Sequence, residues 1–404
     1  MKKSKLMRIL AIVFAISLLS AALLTGCGKN TGNTGNTGNN GPKGNGNDLG
    51  VALITSAAGA NDNGYNQSAI KGLEKAKNDF GINYKVVEST DIPGSLEQLA
   101  GAGYKLIFSL EYNFDALING VGGSKPIAEK YPDTTFVVFN DNPNVNEDGS
   151  VKHKNVISVM FDVHEASFLA GALSVLVNEN ASELFDSADY NFTPGDQGRK
   201  IGFIGGTKSN GITVFSYGFA EGINYEAQKL GVKYTYYSDY NAGFTDSAAG
   251  ATKAATYYAD GANIVYAVAG SVGDGVDAKA KEVKKLSIEV DANKDNNQPG
   301  YVLTSVLKNT EVPVYKIIEA YKNNTIGELQ GKVLSYDLAS GATGITDLSV
   351  ISSKIKSQEK WNEILAELDD ISKKIGSGEI KVTNAQAGES FDKTRLTNLD
   401  MPND

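Results

Sequence analysis

The sequence contains one cysteine, Cys27, and two histidines, His153 and His164, among its 404 residues. A single cysteine excludes an intramolecular disulfide, and so few thiols and imidazoles argue against a zinc site built from Cys and His. A Ser-His-Asp triad would have to use one of the two histidines, and no serine lies in a G-x-S-x-G motif. The G-x-x-x-x-G-K-[ST] loop of ATPases is also missing. We therefore expect no catalytic residues, no metal, no cofactor and no enzymatic activity.

Positive charge is in deficit as well, with 38 Lys and Arg against 47 Asp and Glu and a net charge of −9. Four of the positive charges and no acid precede Cys27, so a chain that begins there carries −13. A nucleic-acid binder normally presents a basic face, and we expect no nucleic-acid partner. An acidic body suits a neutral or cationic small ligand better than a polyanion.

Residues 1–26 have the pattern of a signal peptide. Four basic residues within the first eight precede an uncharged run from Ile9 to Leu24, which is shorter than the about 20 apolar residues of a membrane span. The run ends in Leu24-Thr25-Gly26-Cys27, which resembles a bacterial lipobox. We expect acylation of Cys27 to anchor the protein at the extracytoplasmic face of the cell membrane. Residues 27–48, rich in Gly, Asn and Thr, predict a flexible tether.

The remaining chain is organised around one stretch that occurs twice, 150 residues apart. The copies begin at Val51 (VALITSAAGANDNGYNQSAIKGL) and at Ile201 (IGFIGGTKSNGITVFSYGFAEGI). Each reads as a strand, a polar turn, a helix, a glycine stop at Gly81 or Gly231, and a second strand, which is typical of the start of a βαβ unit. Two such copies predict two similar α/β lobes.

Further strand-like runs follow in both halves, and we expect the chain to cross between the lobes near Ser158 and near Gln298 to Val302. This assigns residues 49–158 plus about 300–330 to lobe 1, and residues 159–299 plus about 331–404 to lobe 2. Near the C-terminus, apolar residues from Trp361 to Ile375 recur at helical spacing and predict a helix. The GEIKV segment after it predicts a short final strand.

Polar and aromatic residues follow the predicted strands, where parallel α/β proteins bind their ligands. Tyr65 and Phe215 occupy equivalent positions after the two polar turns, so facing lobes would bring both rings to one cleft. The alternative is that both rings are core residues of their helices, which is the commoner fate of such aromatics. The polar candidates at these turns and strand ends are Asn61, Asp62, Asn66, Lys208, Ser209, Asn140, Asp141 and Asp291.

The motifs NDNGYNQSAIKGL, NVISVMFDVHEASFLAG, GANIVYAVAGSVGDGV, IEVDANKD and TSVLKN occur in that order. In this arrangement the chain resembles the basic membrane protein (BMP) family, PnrA-like substrate-binding lipoproteins of ABC transporters. The resemblance implies a type I periplasmic-binding-protein fold, an α/β architecture of two Rossmann-like lobes with parallel sheets and an interlobe cleft. It also implies a purine nucleoside as ligand and ABC permease and ATPase subunits as partners. We expect the binding protein itself to be a monomer.

By the same resemblance, Tyr65 and Phe215 match aromatics that stack on the base from opposite sides. Asn61 and Asp62 match the polar turn that hydrogen-bonds the ligand, and Asp291 matches an aspartate suited to a ribose diol. Two further positions match as well, a glycine that admits the ligand to the backbone and a pocket lysine near the sugar, namely Gly270 and Lys308.

This chain departs from the family pattern at two places. Asn140 and Asp141 stand where the family often has an aspartate, and Glu111-Tyr112 stands where it often has Gly-Phe. A sugar or autoinducer-type binding protein that feeds a transporter or a sensor therefore stays open as an alternative, because sugar sites also use aromatics. A surface nucleosidase is a third interpretation. Against it, the sequence has no calcium-binding aspartate cluster near the N-terminal strand and no suitably placed histidine.

Overall fold

The structure is a computed structural model that describes residues 50–402. The predicted signal peptide, Cys27 and the predicted tether lie outside the described residues. The strands are β1 (Gly50–Ile54), β2 (Asn83–Val87), β3 (Leu106–Ser109), β4 (Thr135–Phe139), β5 (Val156–Phe161), β6 (Lys200–Gly205), β7 (Tyr234–Asp239), β8 (Ile264–Val268), β9 (Leu286–Asp291), β10 (Val302–Lys308), β11 (Val333–Tyr336), β12 (Thr343–Ile345) and β13 (Leu399–Asp400). The α-helices are α1 (Tyr65–Phe80), α2 (Ile92–Gly101), α3 (Asp115–Ile118), α4 (Ile127–Lys130), α5 (Val163–Glu179), α6 (Ala181–Leu184), α7 (Asn210–Leu230), α8 (Ser247–Ala259), α9 (Val272–Val283), α10 (Glu311–Lys322), α11 (Ser349–Ser352) and α12 (Gln358–Gly376).

The strands form two sheets, each the centre of one lobe. The first has the order β11-β5-β4-β3-β1-β2 and the second the order β12-β10-β9-β8-β6-β7-β13. Every pairing is parallel except that of β10 with β12. The central strands β3, β4 and β8 are buried along their whole length, as expected of parallel strands covered on both faces. The fold is thus the expected α/β arrangement of two parallel-sheet lobes.

The repeat corresponds to β1-α1-β2 in one lobe and to β6-α7-β7 in the other. Both helices end at a left-handed glycine, Gly81 with φ 66° and Gly231 with φ 68°. The copies differ at their helix starts, because α1 begins at Tyr65 whereas α7 begins at Asn210, five residues ahead of Phe215. Tyr65 therefore opens its helix, while Phe215 lies more than one turn inside its own.

The chain crosses between the lobes at places other than those the sequence suggested. Val156–Phe161 lies wholly in the first sheet, so the first crossing follows Phe161 rather than Ser158. Val302–Lys308 pairs with β9 in the second sheet, which puts the next crossing after Lys308 instead of before Val302. Val333–Tyr336 pairs with β5 in the first sheet, so residues just past 331 belong to the first lobe. A third crossing then leads to β12.

Two helices pack on the lobe opposite the strand they follow. After β5 of the first sheet, α5 packs against α7, and after β10 of the second sheet, α10 packs against α1. The repeat glycines allow both contacts to be close. A Cβ at Gly72 would lie 2.7 Å from the Glu311 carbonyl oxygen, and one at Gly222 would collide with the Phe168 carbonyl oxygen. The shared glycine of the repeat is thus a helix-packing position.

At the C-terminus, the predicted apolar stripe is confirmed as α12, in which Trp361, Ile364, Leu368, Ile371 and Ile375 are buried. The GEIKV segment is not a strand, and the expectation of one is wrong. The final strand is instead β13, which adds to the outer edge of β7. No helix in residues 50–402 is both long enough and apolar enough to cross a membrane.

Candidate functional site

The residues that follow the strands of the two sheets meet between the lobes. From the first lobe come Tyr65, at the start of α1, and Asn140, directly after β4. From the second come Asp291, the last residue of β9, and Lys308, the last residue of β10. The lobes touch here, because a Cβ on Gly64 would lie only 3.6 Å from the Asp291 Cβ. The carboxyl ends of parallel strands are where this class of fold binds ligands.

The Lys308 ammonium lies among three aromatic rings. Its Nζ is 5.3 Å from the ring centroid of Tyr65 and 5.5 Å from those of Phe161 and Phe215. A cation over aromatic faces is attracted by the negative potential of those faces. The faces of Tyr65 and Phe215 are therefore directed at one shared volume, although Phe215 is also a core residue with only 2% of its surface exposed.

Burial and a nearby carboxylate act on Lys308 in opposite directions. Burial lowers the pKa of the ammonium to about 8, and the charge of Asp291 opposes that shift. Burial likewise raises the pKa of the Asp291 carboxyl, against the pull of Lys308 and Lys294. Asp291 is held in a left-handed backbone conformation with φ 72°. The two opposite charges thus act on each other in a partly dehydrated space, where their attraction exceeds that in water.

Tyr65 and Asn140 are joined by a hydrogen bond at the same edge of the first sheet. The Tyr65 hydroxyl lies 3.2 Å from the Leu110 carbonyl oxygen, to which it donates. It accepts a hydrogen bond of 2.7 Å from the Asn140 side-chain nitrogen. The other end of this amide, Oδ1, is buried and has no hydrogen-bond partner within the described part of the chain. Burial raises the pKa of Tyr65 well above its usual value, so the phenol keeps its proton.

The polar turn before α1 is held by its own side chains. The Asp62 carboxylate accepts from the backbone N–H groups of Gly64, Asn66 and Gln67 at 2.8–3.1 Å, which caps the helix. The Asn66 side chain is fully buried and bonds to Ser56 and to the Gly59 carbonyl. Both residues therefore shape the turn that presents Tyr65, and a direct contact of either with a ligand stays a prediction.

The other predicted residues are more dispersed. Asn61 is exposed and lines a cavity of about 430 Å³ on α1 with Lys71 and Glu88, and none of the rings around Lys308 lines this cavity. Asp141 is half-buried, and burial raises the pKa of its carboxyl. Gly270 has φ 55°, and a Cβ there would lie 2.8 Å from the Phe244 carbonyl oxygen. The close backbone approach at Gly270 is thus to a loop of the protein.

Lys208 and Ser209, from the matching turn of the second lobe, line another cavity of about 420 Å³ beside the C-terminal segment. Lys208 also lies over the Tyr240 ring, at 5.2 Å from its centroid. Both halves of the repeat supply a ring to the Lys308 cluster, Tyr65 from the first and Phe215 from the second. The halves differ in their polar turns, since the turn of the second half lines the cavity beside the C-terminal segment.

Three residues near the site were not predicted. Phe161 is the last residue of β5, and its position at a strand end was the signal that could have found it. Tyr112 of the first lobe reaches the start of α7, since a Cβ on Gly211 would lie 2.6 Å from its hydroxyl oxygen. Gln386, far along the chain, donates from Nε2 to the Asn140 carbonyl oxygen at 2.7 Å. No sequence pattern marks that last contact.

Comparison with known proteins decides the family. The family of ABC transporter substrate-binding proteins described as PnrA-like, the Bmp family, matches residues 50–385. The chain belongs to this family. It is 28% identical over 369 residues to the ABC transporter nucleoside-binding protein BmpA of Lactococcus lactis subsp. cremoris, covering 85% of this chain and 92% of that protein. It is 27% identical over 369 residues to basic membrane protein B of Borreliella burgdorferi, covering 87% of this chain and 94% of that protein.

Solved structures agree on the fold. An ABC transporter solute-binding protein from Aeropyrum pernix superposes with a TM-score of 0.66 at 22% identity, covering 82% of this chain and 92% of the other. One from Conexibacter woesei gives 0.58 at 18% identity, covering 83% and 99%. By its membership of the Bmp family, the chain is a substrate-binding protein of an ABC transporter, a class that works outside the cytoplasm. Within residues 50–402, His, Cys, Asp and Glu side chains form no group of three or more that could hold a metal ion.

Proposed function

We propose that the protein binds a purine nucleoside between its lobes and delivers it to the permease of an ABC importer. The observation that carries the proposal is the Lys308 cluster, in which the faces of Tyr65 and Phe215 point at one volume from opposite lobes. A purine has apolar faces and an edge rich in donors and acceptors. Aromatic faces suit the first feature, and the amide of Asn140 suits the second.

Asp291 is the residue of the cluster that suits the sugar of a nucleoside. A carboxylate accepts two hydrogen bonds, which matches the adjacent hydroxyls of a ribose. Because the Lys308 ammonium lies between the two ring faces, a base that enters there displaces it. The charge of Asp291 attracts this ammonium, so the ammonium moves toward the sugar side of the site. A nucleoside thus suits both the ring faces and the polar groups of the cluster.

Anchoring through acylated Cys27 and the tether of residues 27–48 completes the proposal. A binding protein held by a lipid stays close to its permease, and closure of the lobes on the ligand presents one shape to that partner. The nucleoside-binding relative from Lactococcus lactis supports this assignment by its name.

The test is direct binding to the full-length protein purified in detergent. Calorimetry with adenosine, inosine and guanosine should show binding, while ribose, arabinose and cytidine at the same concentrations should bind at least about tenfold more weakly. Small molecules released from the freshly purified protein by denaturation should include a purine nucleoside by mass spectrometry. Tight binding of a free sugar, with no response to any purine nucleoside, would assign the protein to the sugar-binding alternative.

A further inference from the structure

The Tyr65 hydroxyl has one proton and two neighbours. A backbone carbonyl only accepts hydrogen bonds, so the proton of Tyr65 goes to the Leu110 carbonyl, 3.2 Å away. The phenol oxygen is then left as an acceptor toward Asn140. Its neighbour at 2.7 Å must therefore be the amide nitrogen, which has hydrogens to donate.

The opposite orientation of the Asn140 amide satisfies fewer groups. With its oxygen toward Tyr65, the phenol proton can serve either Asn140 or Leu110, and one of the two contacts is lost. The observed orientation keeps both. One additional hydrogen bond favours it by roughly three- to tenfold. Since the phenol also stays protonated, this polarity holds over the physiological pH range.

This orientation of the amide determines the role of its oxygen, Asn140 Oδ1. With its nitrogen committed to Tyr65, Asn140 has only Oδ1 left to offer as an acceptor, and this atom is buried without a partner among the described residues. Asn140 as a whole is 8% exposed. A buried acceptor without a hydrogen-bond partner costs free energy. A ligand that donates a hydrogen bond to Oδ1 removes this cost, which strengthens its binding.

We propose that the Tyr65 hydroxyl is a positioning group that locks Asn140 as an acceptor and so selects purines whose edge carries an N–H donor. This deepens the proposed function and rests on it. An N–H on the base, rather than a sugar hydroxyl, is the partner for a physical reason. A hydroxyl both donates and accepts, so it adapts to either amide orientation, whereas a ring N–H or amino group does not. Asn140 also lies at the hydroxyl end of the Tyr65 ring, beside the face on which the proposed base would stack.

The experiment compares adenosine with purine riboside in the full-length protein. Purine riboside has the ring system and sugar of adenosine but no N–H on its base. The wild-type protein should favour adenosine by about five- to a hundredfold, because purine riboside leaves Oδ1 without a partner. In Tyr65→Phe the amide is free to turn its nitrogen to the ring, and this preference should fall to about threefold or less.

A second substitution restores the preference. Asn140→Asp offers only acceptors in any orientation, so Tyr65→Phe with Asn140→Asp should again favour adenosine as the wild type does. Tyr190→Phe is the matched control, because it removes a tyrosine hydroxyl that likewise donates to a backbone carbonyl, that of Gly300, outside the Lys308 cluster. This variant should leave the preference unchanged. A ratio of affinities cancels any general loss of binding or stability that Tyr65→Phe causes.

The outcomes distinguish failure of the proposed function from failure of the positioning role of Tyr65. If the wild-type protein binds no purine nucleoside, the proposed function fails. If it binds them and Tyr65→Phe keeps the wild-type preference, the function stands and the positioning role of Tyr65 is refuted. If Tyr65→Phe instead abolishes the difference between adenosine and its 2′-deoxy or 3′-deoxy forms while keeping the preference over purine riboside, Asn140 faces the sugar and the assignment to the base edge is overturned.

Discussion

Phe215 is both a core residue and a wall of the candidate site, and one substitution separates these roles. We expect Phe215→Leu to weaken purine nucleoside binding much more than it weakens the fold. Leucine keeps most of the buried volume but has no aromatic face. The ring lies on α7 with 2% of its surface exposed, and its centroid is 5.5 Å from the Lys308 ammonium.

The two effects differ in size. A hydrophobic substitution of nearly conserved volume costs about 1 kcal/mol of unfolding free energy. Loss of base stacking costs about 1–3 kcal/mol by alanine substitution, which is roughly ten- to a hundredfold in affinity at 1.4 kcal/mol per tenfold. Calorimetric titration with inosine measures the affinity, and urea unfolding of the same preparation measures the stability.

Phe219 provides the matched control one turn further along α7. It is fully buried and packs against Tyr266 and Tyr236, with ring centroids 4.9 and 6.1 Å away. Phe219→Leu should lower stability by a similar amount and leave inosine affinity within about twofold. Binding by Phe215→Leu within twofold of the wild type would refute stacking on this ring. Equal losses of affinity in both variants would show that α7 packing, and not the ring face, supports the site.

Three further predictions concern charge, anchoring and chemistry. Because burial lowers the pKa of Lys308 from 10.5 to about 8, the unfolded chain binds more protons between these values, and unfolding free energy from this group should rise with pH across that window by about 3 kcal/mol. Lys308→Met should remove that part of the rise between pH 7 and pH 10 in urea unfolding, and an identical pH profile in both proteins would contradict the pKa shift. Cys27→Ala should leave the precursor unprocessed or release the protein from the membrane fraction, whereas unchanged processing and retention would exclude acylation there. Adenosine, inosine and guanosine should be recovered intact after long incubation with the protein, and free base in proportion to added protein would support the nucleosidase reading.

The part of the fold that the sequence predicts is the part encoded locally. The strand-turn-helix repeat is confirmed down to its left-handed stops at Gly81 and Gly231, because a positive φ suits glycine. The stripe from Trp361 to Ile375 is confirmed for the same kind of reason, since helical periodicity is visible in a single segment. The lobe assignment of Val302–Lys308 was not predictable in this way. An apolar run reads as a buried strand whichever sheet it joins.

The candidate site likewise contains residues that local sequence patterns predict and residues that they do not. Tyr65, Asp291 and Lys308 lie at the ends of recognisable elements, and the structure brings them together. Phe215 is deeper than its equivalence with Tyr65 suggested, because α7 begins five residues earlier relative to the repeat. Gln386, in the short 3-10 helix Ala385–Ala387, reaches Asn140 across 246 positions, and no local periodicity encodes such a contact. Asn61 resembled its neighbours in the sequence, but in the structure it lines the cavity on α1 instead of the Lys308 cluster.

The exchange of helices between the lobes has a consequence for the order of synthesis. As the chain leaves the ribosome, β1 to β5 are complete long before α10 and β11, which finish the first lobe at Tyr336. Until then α1 lacks α10, the helix that packs on it at Gly72. Strand β5 also lacks β11, so it is an open sheet edge that other strands could join. The hydrogen bond from Thr310 to the Tyr65 carbonyl, 245 positions apart, forms only at that stage. The first lobe is thus completed only after strands β6 to β10 of the second sheet have been synthesised.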